Sequence, residues 1–102
     1  MVLEIANLQV RPGQTEAFET AFKTAQTIIT SMPGYRGHEL QRCLERVGHY
    51  MLLVRSETVE HHEVGFRKSP QYQEWRKPLH HFYDPSPTVF HYERVFVESL
   101  LM

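Results

Sequence analysis

The chain of 102 residues lacks the features that mark several specialised classes of protein. It has one cysteine, Cys43, so it can form no internal disulfide bond, which suits a reducing cytoplasm. Its longest apolar run, residues 50–54, is too short to cross a bilayer, and its strand-like start does not fit a signal peptide. The net charge is −1, with no basic block of the kind that binds nucleic acid. We therefore expect one small cytoplasmic domain over residues 1–102, with no nucleic-acid or membrane partner.

The most distinctive stretch, residues 69–84, combines the only tryptophan with a pair of adjacent histidines. Ser69 followed by Pro70 predicts the start of a helix, because the hydroxyl can cap free N–H groups and proline is already set to a helical φ. Pro78 predicts a kink or an end near Lys77. One face of this helix is apolar and mostly aromatic, with Tyr72, Trp75, Leu79 and Phe82 at helical spacing. Such a face is typical of a small-molecule pocket, and equally of an ordinary core.

Hydrophobic patterns along the chain predict a β-α-β-β-α-β order. Strands are predicted over residues 2–10, 35–44, 49–56 and 88–97, helices over 14–32 and 69–84, and one or two helical turns over 58–66. This order is the ferredoxin-like α+β arrangement, an antiparallel sheet with helices on one face. The strands carry apolar residues on both faces, and the helices can cover only one. We therefore expect a homodimer that packs sheet against sheet and buries on the order of 2,000 Å².

Four segments resemble the antibiotic biosynthesis monooxygenase family of dimeric α/β barrels. They are Arg-Pro-Gly-Gln at 11–14, Met-Pro-Gly-Tyr at 32–35, Leu-Val-Arg-Ser-Glu-Thr at 53–58 and Phe-Arg-Lys-Ser-Pro-Gln-Tyr at 66–72. That family includes cofactor-independent oxygenases of polyketide phenols and anthrones, quinol oxygenases and haem-degrading enzymes. The resemblance implies a dimeric barrel with a substrate cavity between the helices and the sheet of each subunit.

Four residues are candidates for catalysis. His80 and His81 would point about 100° apart on a helix, so only one of them can face the pocket. A neutral imidazole is a suitable general base, and the oxygenase reaction that the resemblance implies needs one. It would deprotonate a phenol or anthrone to an anion that reacts with O₂ without metal or flavin, and Arg76 or Asn7 would stabilise the charge. The alternatives are a solvated helix end for the histidines and a structural hydrogen-bonding role for Asn7.

Five residues are candidates for substrate binding. Trp75 and Tyr72 would stack on a flat substrate, and the rest of the predicted lining is Phe66, His38 and Tyr83. The alternative is that the aromatic residues are core side chains and that His38 lies at the dimer interface.

The residues can be compared with those on which the haem-degrading branch of this family depends. The haem-degrading branch depends on an asparagine on the first strand, matched by Asn7, then on a tryptophan and a histidine. Phe66 stands at the tryptophan position, and the histidine position falls near Arg76. Arginine cannot act as an axial ligand to iron, so haem is disfavoured unless His80 or His81 takes that role.

A metal site is also disfavoured. His61 and His62 form a second adjacent pair, which with His80, His81 and Asp84 could surround an ion. Their spacing matches no established ligand pattern, so we predict neither metal nor cofactor.

The sequence thus favours a homodimeric, cofactor-independent monooxygenase that oxidises a small aromatic compound (a polyketide, phenol or quinol) with O₂. The second hypothesis is a non-catalytic small-molecule-binding dimer of the same fold, and the third is a haem-binding or haem-degrading protein.

Overall fold

A four-stranded antiparallel sheet with two helices makes up residues 1–60 and 65–99, the part of the chain that the computed structural model describes. The strands are β1 (Val2–Gln9), β2 (Tyr35–Arg42), β3 (His49–Ser56) and β4 (Thr88–Tyr92), and the helices are α1 (Thr15–Thr30) and α2 (Pro70–Leu79). The strand order is β2-β3-β1-β4, and every pairing is antiparallel. This confirms the ferredoxin-like α+β prediction. The sheet of the single chain is open and does not close into a barrel.

Several predicted bounds differ from those observed. The last strand was predicted over residues 88–97 but ends at Tyr92, because Tyr92 pairs with Leu3 and β1 begins only one residue earlier. The helical turns predicted over 58–66 fall partly on residues 61–64, which lie outside the described residues.

The helices cover one face of the sheet, the helix-facing side. Every second residue from Glu4 to Val10, along β1 and directly after it, is buried there, as period-two alternation requires. Helix α1 packs on this side through the stripe that its spacing predicts, and the buried members are Phe18, Phe22, Ala25 and Ile29.

The other side of the sheet, which we call the open face, has no helix over it among the described residues. It carries many apolar side chains, including Leu3, Ile5, Met51, Leu53, Phe90 and Tyr92. Phe90 and Tyr92 are 59% and 50% exposed. The predicted apolar character of both sides of the sheet is therefore observed.

A β-bulge interrupts the pairing of β2 with β3. Tyr35 lies opposite Ser56 and Gly37 opposite Arg55, so Arg36 is an extra residue without a counterpart. Gly37 has a φ of 139°, which side chains with a Cβ rarely adopt. Because of the extra residue, the side chains before and after the bulge do not follow the regular alternation between the two sides of the sheet.

Helix α2 begins as its sequence predicts and ends at Leu79, between the stop predicted near Lys77 and the end of the predicted 69–84 helix. The Ser69 hydroxyl accepts a hydrogen bond from the Tyr72 backbone N–H at 3.3 Å. Pro78 lies inside the helix, which continues to Leu79 and then tightens into a 3₁₀ helix, His80–Phe82. Because proline has no backbone N–H, one helical hydrogen bond is lost, but the helix does not end at Lys77. Neither described helix is long and apolar enough to cross a membrane.

Phe18 is the centre of the tightly packed part of the core, so its truncation tests the fold. It has no exposed surface, and its ring lies 5.0–6.0 Å from the rings of Phe22, Tyr50, Phe82 and Tyr83. We expect Phe18→Ala to lower the free energy of unfolding by about 3–5 kcal/mol, because it leaves a cavity. Leu44→Ala is the control, since Leu44 is 91% exposed, and it should cost about 0.5 kcal/mol or less. Urea denaturation measures both, and equal losses would contradict the packing.

A candidate active-site cavity between the helices and the sheet

A cavity of about 200 Å³ lies between the helix-facing side of the sheet and helix α2. Its floor is apolar and consists of Ala6, Leu8, Leu52, Val54 and Val89. The cavity exists because the side chains of β3 on this side become smaller along the strand, in the order Tyr50, Leu52, Val54, Ser56. Tyr50 fills the space under Phe18, whereas the shorter side chains leave room above them.

Aromatic side chains form the wall on the α2 side. Phe66, Tyr72, Trp75 and Tyr83, four of the five predicted substrate-binding residues, all line the cavity. Phe66 meets Tyr72 edge-on at 5.3 Å between centroids, and Trp75 packs on Phe22 at 5.6 Å. These edge-to-face contacts hold the rings in fixed orientations. The wall presents flat apolar surface, which suits a planar aromatic ligand.

The two adjacent histidines have different surroundings. His80 is half-buried and lines the cavity, whereas His81 is exposed and does not. The carbonyl of His81 accepts a hydrogen bond from Arg11 Nε at 3.1 Å, which ties this turn to the end of β1. Of the pair, His80 is therefore the residue that can act on a ligand.

The charges around His80 favour its neutral form. Burial lowers the pKa of His80, and the positive charges of Arg76 and His81 lower it further. Arg76 also lines the cavity. The His80 ring lies 5.9 Å from that of Tyr83, whose own pKa is raised by burial. At neutral pH this end of the cavity thus offers a neutral imidazole, a guanidinium and a protonated phenol.

Asn7 does not lie where the sequence interpretation placed it. The catalytic prediction needs its amide in the cavity, but Asn7 lies opposite Met51 and Thr88, on the open face. It is separated from the cavity by the sheet, because odd-numbered residues of β1 point away from the helices. In this subunit Asn7 therefore cannot contact a ligand in the cavity.

His38 also differs from its predicted position. It faces the helices but is not part of the cavity wall. Tyr35 is part of that wall, and His38 lies behind it. The Tyr35 hydroxyl oxygen lies 2.6 Å from His38 Nδ1, within hydrogen-bond distance. His38 can therefore influence a ligand only through Tyr35.

Sequence reasoning missed a polar group at the other end of the cavity. Glu4 is 5% exposed and lines the cavity together with Ser56 and Arg67. Arg67 Nη2 lies 3.4 Å from Glu4 Oε1. The available signal was a glutamate among apolar residues on the buried side of β1, where an acidic side chain is rare without a partner.

The cavity therefore has polar groups at both ends. Val10 pairs with Tyr83, so His80 and Arg76 lie near the end of β1, whereas Glu4 lies near its beginning. Leu8 and Glu4 are four positions apart on the strand, which corresponds to about 13 Å. An elongated planar molecule with polar groups at both ends would match this arrangement.

Comparison with known proteins identifies the family. A family model described as antibiotic biosynthesis monooxygenase matches residues 1–78. The chain belongs to the antibiotic biosynthesis monooxygenase family. The resemblance seen in the sequence is thereby confirmed.

Several relatives of this family member match nearly its full length. The uncharacterized protein YczJ of Bacillus subtilis (strain 168) is 48% identical over 95 residues, covering 93% of this chain and 100% of YczJ. The crystal structure of a candidate antibiotic biosynthesis monooxygenase from Bordetella bronchiseptica is 36% identical, with a TM-score of 0.89 and coverage of 93% and 97%. SnoaB, a cofactor-independent oxygenase from Streptomyces nogalater, has a TM-score of 0.81 at 14% identity and 95% coverage of both chains. At that identity the likeness to SnoaB is one of fold.

Potential metal ligands do not cluster in the part of the chain that the structure describes. Among residues 1–60 and 65–99, no three histidine, cysteine, aspartate or glutamate side chains lie close enough together to hold an ion. His61 and His62, which the sequence raised as candidates, lie outside the described residues.

Two acid–arginine pairs of similar distance allow the cavity environment to be tested. Glu4–Arg67 lies at the cavity, whereas Arg36–Glu57, at 3.2 Å, lies on the surface with both side chains about half exposed. We expect Glu4→Gln to cost about 1–3 kcal/mol of unfolding free energy, because it removes the charge that faces Arg67 in a desolvated site. Glu57→Gln should cost less than about 1 kcal/mol, because water screens that pair. Equal costs in urea denaturation would show that the cavity pair is as solvated as the surface one.

Proposed function

We propose that this protein is a monooxygenase that oxidises a small aromatic compound with O₂ and requires no metal or organic cofactor. The observation that carries the proposal is His80, a neutral imidazole in the wall of an aromatic cavity. Membership of the antibiotic biosynthesis monooxygenase family supports it, as does the fold shared with the cofactor-independent oxygenase SnoaB. The substrate class is a polyketide phenol, an anthrone or a quinol.

The chemistry begins with removal of a proton from the substrate. For an anthrone, His80 takes one proton from the methylene carbon and leaves an electron-rich enolate. The enolate transfers electrons to O₂, and a carbon–oxygen bond forms to give a peroxide. The second methylene proton then leaves, the O–O bond breaks, and a carbonyl and one water are released. The substrate loses two hydrogens and gains one oxygen atom, and the second oxygen leaves as water.

In this proposal Arg76 stabilises the anion that forms in the first step. It lines the cavity, and its charge acts on His80, as the lowered pKa of His80 indicates. The same guanidinium favours an enolate or phenolate in an apolar cavity, where charge interactions are stronger than in water. His80 thus accepts the proton, and Arg76 stabilises the negative charge that remains on the substrate.

A second function, binding without turnover, uses the same cavity. The Glu4–Arg67 pair, whose carboxylate is buried, favours it, because polar groups far from His80 suit recognition as well as reaction. A ligand that raises the melting temperature, with no oxygen consumed, would support it. Haem is less well supported, since a cavity of about 200 Å³ is small for a macrocycle of that size.

A homodimer belongs to the same proposal. The open face presents a broad apolar surface, and Val95 and Phe96, which follow β4, are 81% and 94% exposed. Exposed apolar area of this extent favours association. A second copy packed on the open face would cover Phe90, Tyr92 and their neighbours, and it would enclose the sheets as in a dimeric barrel.

Replacement of His80 tests the reaction. With a panel of anthrones and quinols, the wild type should consume O₂, and His80→Gln should lower kcat/KM by about 10²–10⁴-fold, because it removes the base. His81→Gln is the matched control and should have little effect, because His81 is exposed and does not line the cavity. Full activity of the His80 variant in an oxygen-electrode assay would refute its assigned role.

The pH profile provides a further check on His80. A base acts only when unprotonated, so kcat/KM should rise with pH through the pKa of His80 and then level off. Because burial and the charge of Arg76 lower that pKa, the midpoint should lie below the ordinary histidine value of about 6.5. Arg76→Gln should move the midpoint to higher pH.

The oligomeric state tests the role of the open face. We expect a dimer by size-exclusion chromatography with light scattering at micromolar concentration. Phe90→Glu should shift the protein to the monomer, because a charge would be buried in the contact. Leu44→Glu, in the exposed β2–β3 loop, should leave the dimer intact. A monomeric wild type would refute this part of the proposal.

A further inference from the structure

The bulge in β2 brings two side chains to the same side of the sheet. Tyr35 and His38 are three residues apart, so in a regular strand they would point to opposite sides. Because Arg36 is an extra residue, Tyr35 lies opposite Ser56 and His38 opposite Val54, and both face the helices. Bulges often redirect side chains next to active sites. Here the bulge places the Tyr35 phenol in the cavity wall and His38 directly behind it.

A chain of hydrogen bonds runs from the cavity wall to helix α1. The Tyr35 hydroxyl lies 2.6 Å from His38 Nδ1, and His38 Nε2 lies 2.8 Å from Gln26 Oε1. An amide oxygen can only accept a hydrogen bond, so Nε2 carries the hydrogen. Nδ1 then carries a lone pair, which accepts a hydrogen bond from the Tyr35 hydroxyl. Gln26 therefore selects the tautomer of His38 in which the unprotonated nitrogen, Nδ1, lies on the cavity side and can accept a proton.

The electrostatic setting supports this arrangement. Burial lowers the pKa of His38, so its imidazole is neutral at neutral pH and Nδ1 is available. The chain has the order of groups found in proton relays: a hydroxyl, a neutral imidazole, and a third group that orients the imidazole.

We infer that Tyr35, His38 and Gln26 form a second proton-accepting site of the cavity, which receives the proton of an aromatic hydroxyl on the substrate. The substrate hydroxyl gives its proton to the Tyr35 oxygen as the Tyr35 proton passes to His38 Nδ1. The products are a substrate phenolate, a neutral Tyr35 and an imidazolium that keeps its Nε2 hydrogen bond to Gln26. One proton moves along each bond, and no redox partner is needed.

This relay lies at the end of the cavity away from His80. Tyr35 adjoins Ser56, which pairs with Val2 near the beginning of β1, whereas His80 lies near its end. The inference rests on the proposed function and narrows its substrate class. The substrate is an aromatic compound with a hydroxyl at the end remote from the group that His80 deprotonates. With both protons removed, such a molecule is a stronger reductant toward O₂ than the singly ionised form.

The probe 4-nitrophenol tests the relay without oxygen chemistry, because its absorbance distinguishes phenol from phenolate. Binding is measured in His80→Gln, where the first base is absent, at the pH at which the free probe is half ionised. Adding His38→Gln to this variant should lower the ratio of bound phenolate to phenol by about threefold or more, equivalent to about half a pKa unit. Tyr35→Phe in the same background should have a similar effect.

The possible results separate the relay from a structural link and from the oxygenase proposal. If both double variants lose thermal stability and leave the ratio unchanged, the chain merely joins β2 to α1 and the inference is wrong. Failure of the probe to bind would also overturn it. If the ratio depends on Tyr35 and His38 but no O₂ is consumed with any substrate, the relay stands and the oxygenase proposal fails.

A measurement on the unmodified protein guards against variants that do not fold. Nitrogen-15 NMR of the His38 ring should show the Nε2-protonated tautomer, with Nδ1 accepting a hydrogen bond. The Nδ1-protonated tautomer would overturn the inference, because no lone pair would then face Tyr35.

Discussion

The structure depends on uneven contact between its two layers. Where Phe18 fits over Tyr50, the helices and the sheet meet in a close cluster of aromatic rings. Farther along, β3 presents only the smaller side chains of Val54 and Ser56, which border the cavity. Protein interiors are normally filled to the density of organic crystals, so unfilled space of this kind is costly to keep. It is maintained here because the aromatic cluster holds the layers at a fixed separation.

The position of His80 follows from local backbone geometry. Pro78 lies in the last turn of α2, and the chain then tightens into a 3₁₀ helix that is tied to β1 through Arg11 and the Val10–Tyr83 pairing. These constraints turn one of two adjacent imidazoles into the cavity and leave the other outside. Two identical side chains thus come to lie in different surroundings because of the few turns around them. Such local details decide which groups of a shared fold can reach a ligand.

Much of the fold could be predicted from the sequence, and less of the site. The stripe of α1, the Ser69–Pro70 helix start and the alternation of β1 are local patterns, and local patterns predict elements well. Asn7 was predicted to stabilise a charge in the cavity but lies on the open face, because the sequence alone does not show which side of β1 the helices cover. Glu4 was missed because a single acidic residue in a strand gives no sign of its partner. Arg67 is 63 residues away in the chain, and only the folded structure brings the two together.

The bulge in β2 has a consequence for how this chain can change. Tyr35 lies opposite Ser56 because Arg36 is left out of the pairing with β3. If Arg36 paired with Ser56 instead, as in a regular ladder, Tyr35 would move one position along and its phenol would turn to the opposite side. Deletion of Arg36 would not have this effect, because the shortened strand would pair regularly with Tyr35 still opposite Ser56. The chain can therefore lose this residue and keep the phenol on the cavity side, whereas a shift in the pairing register would turn it away with the sequence unchanged.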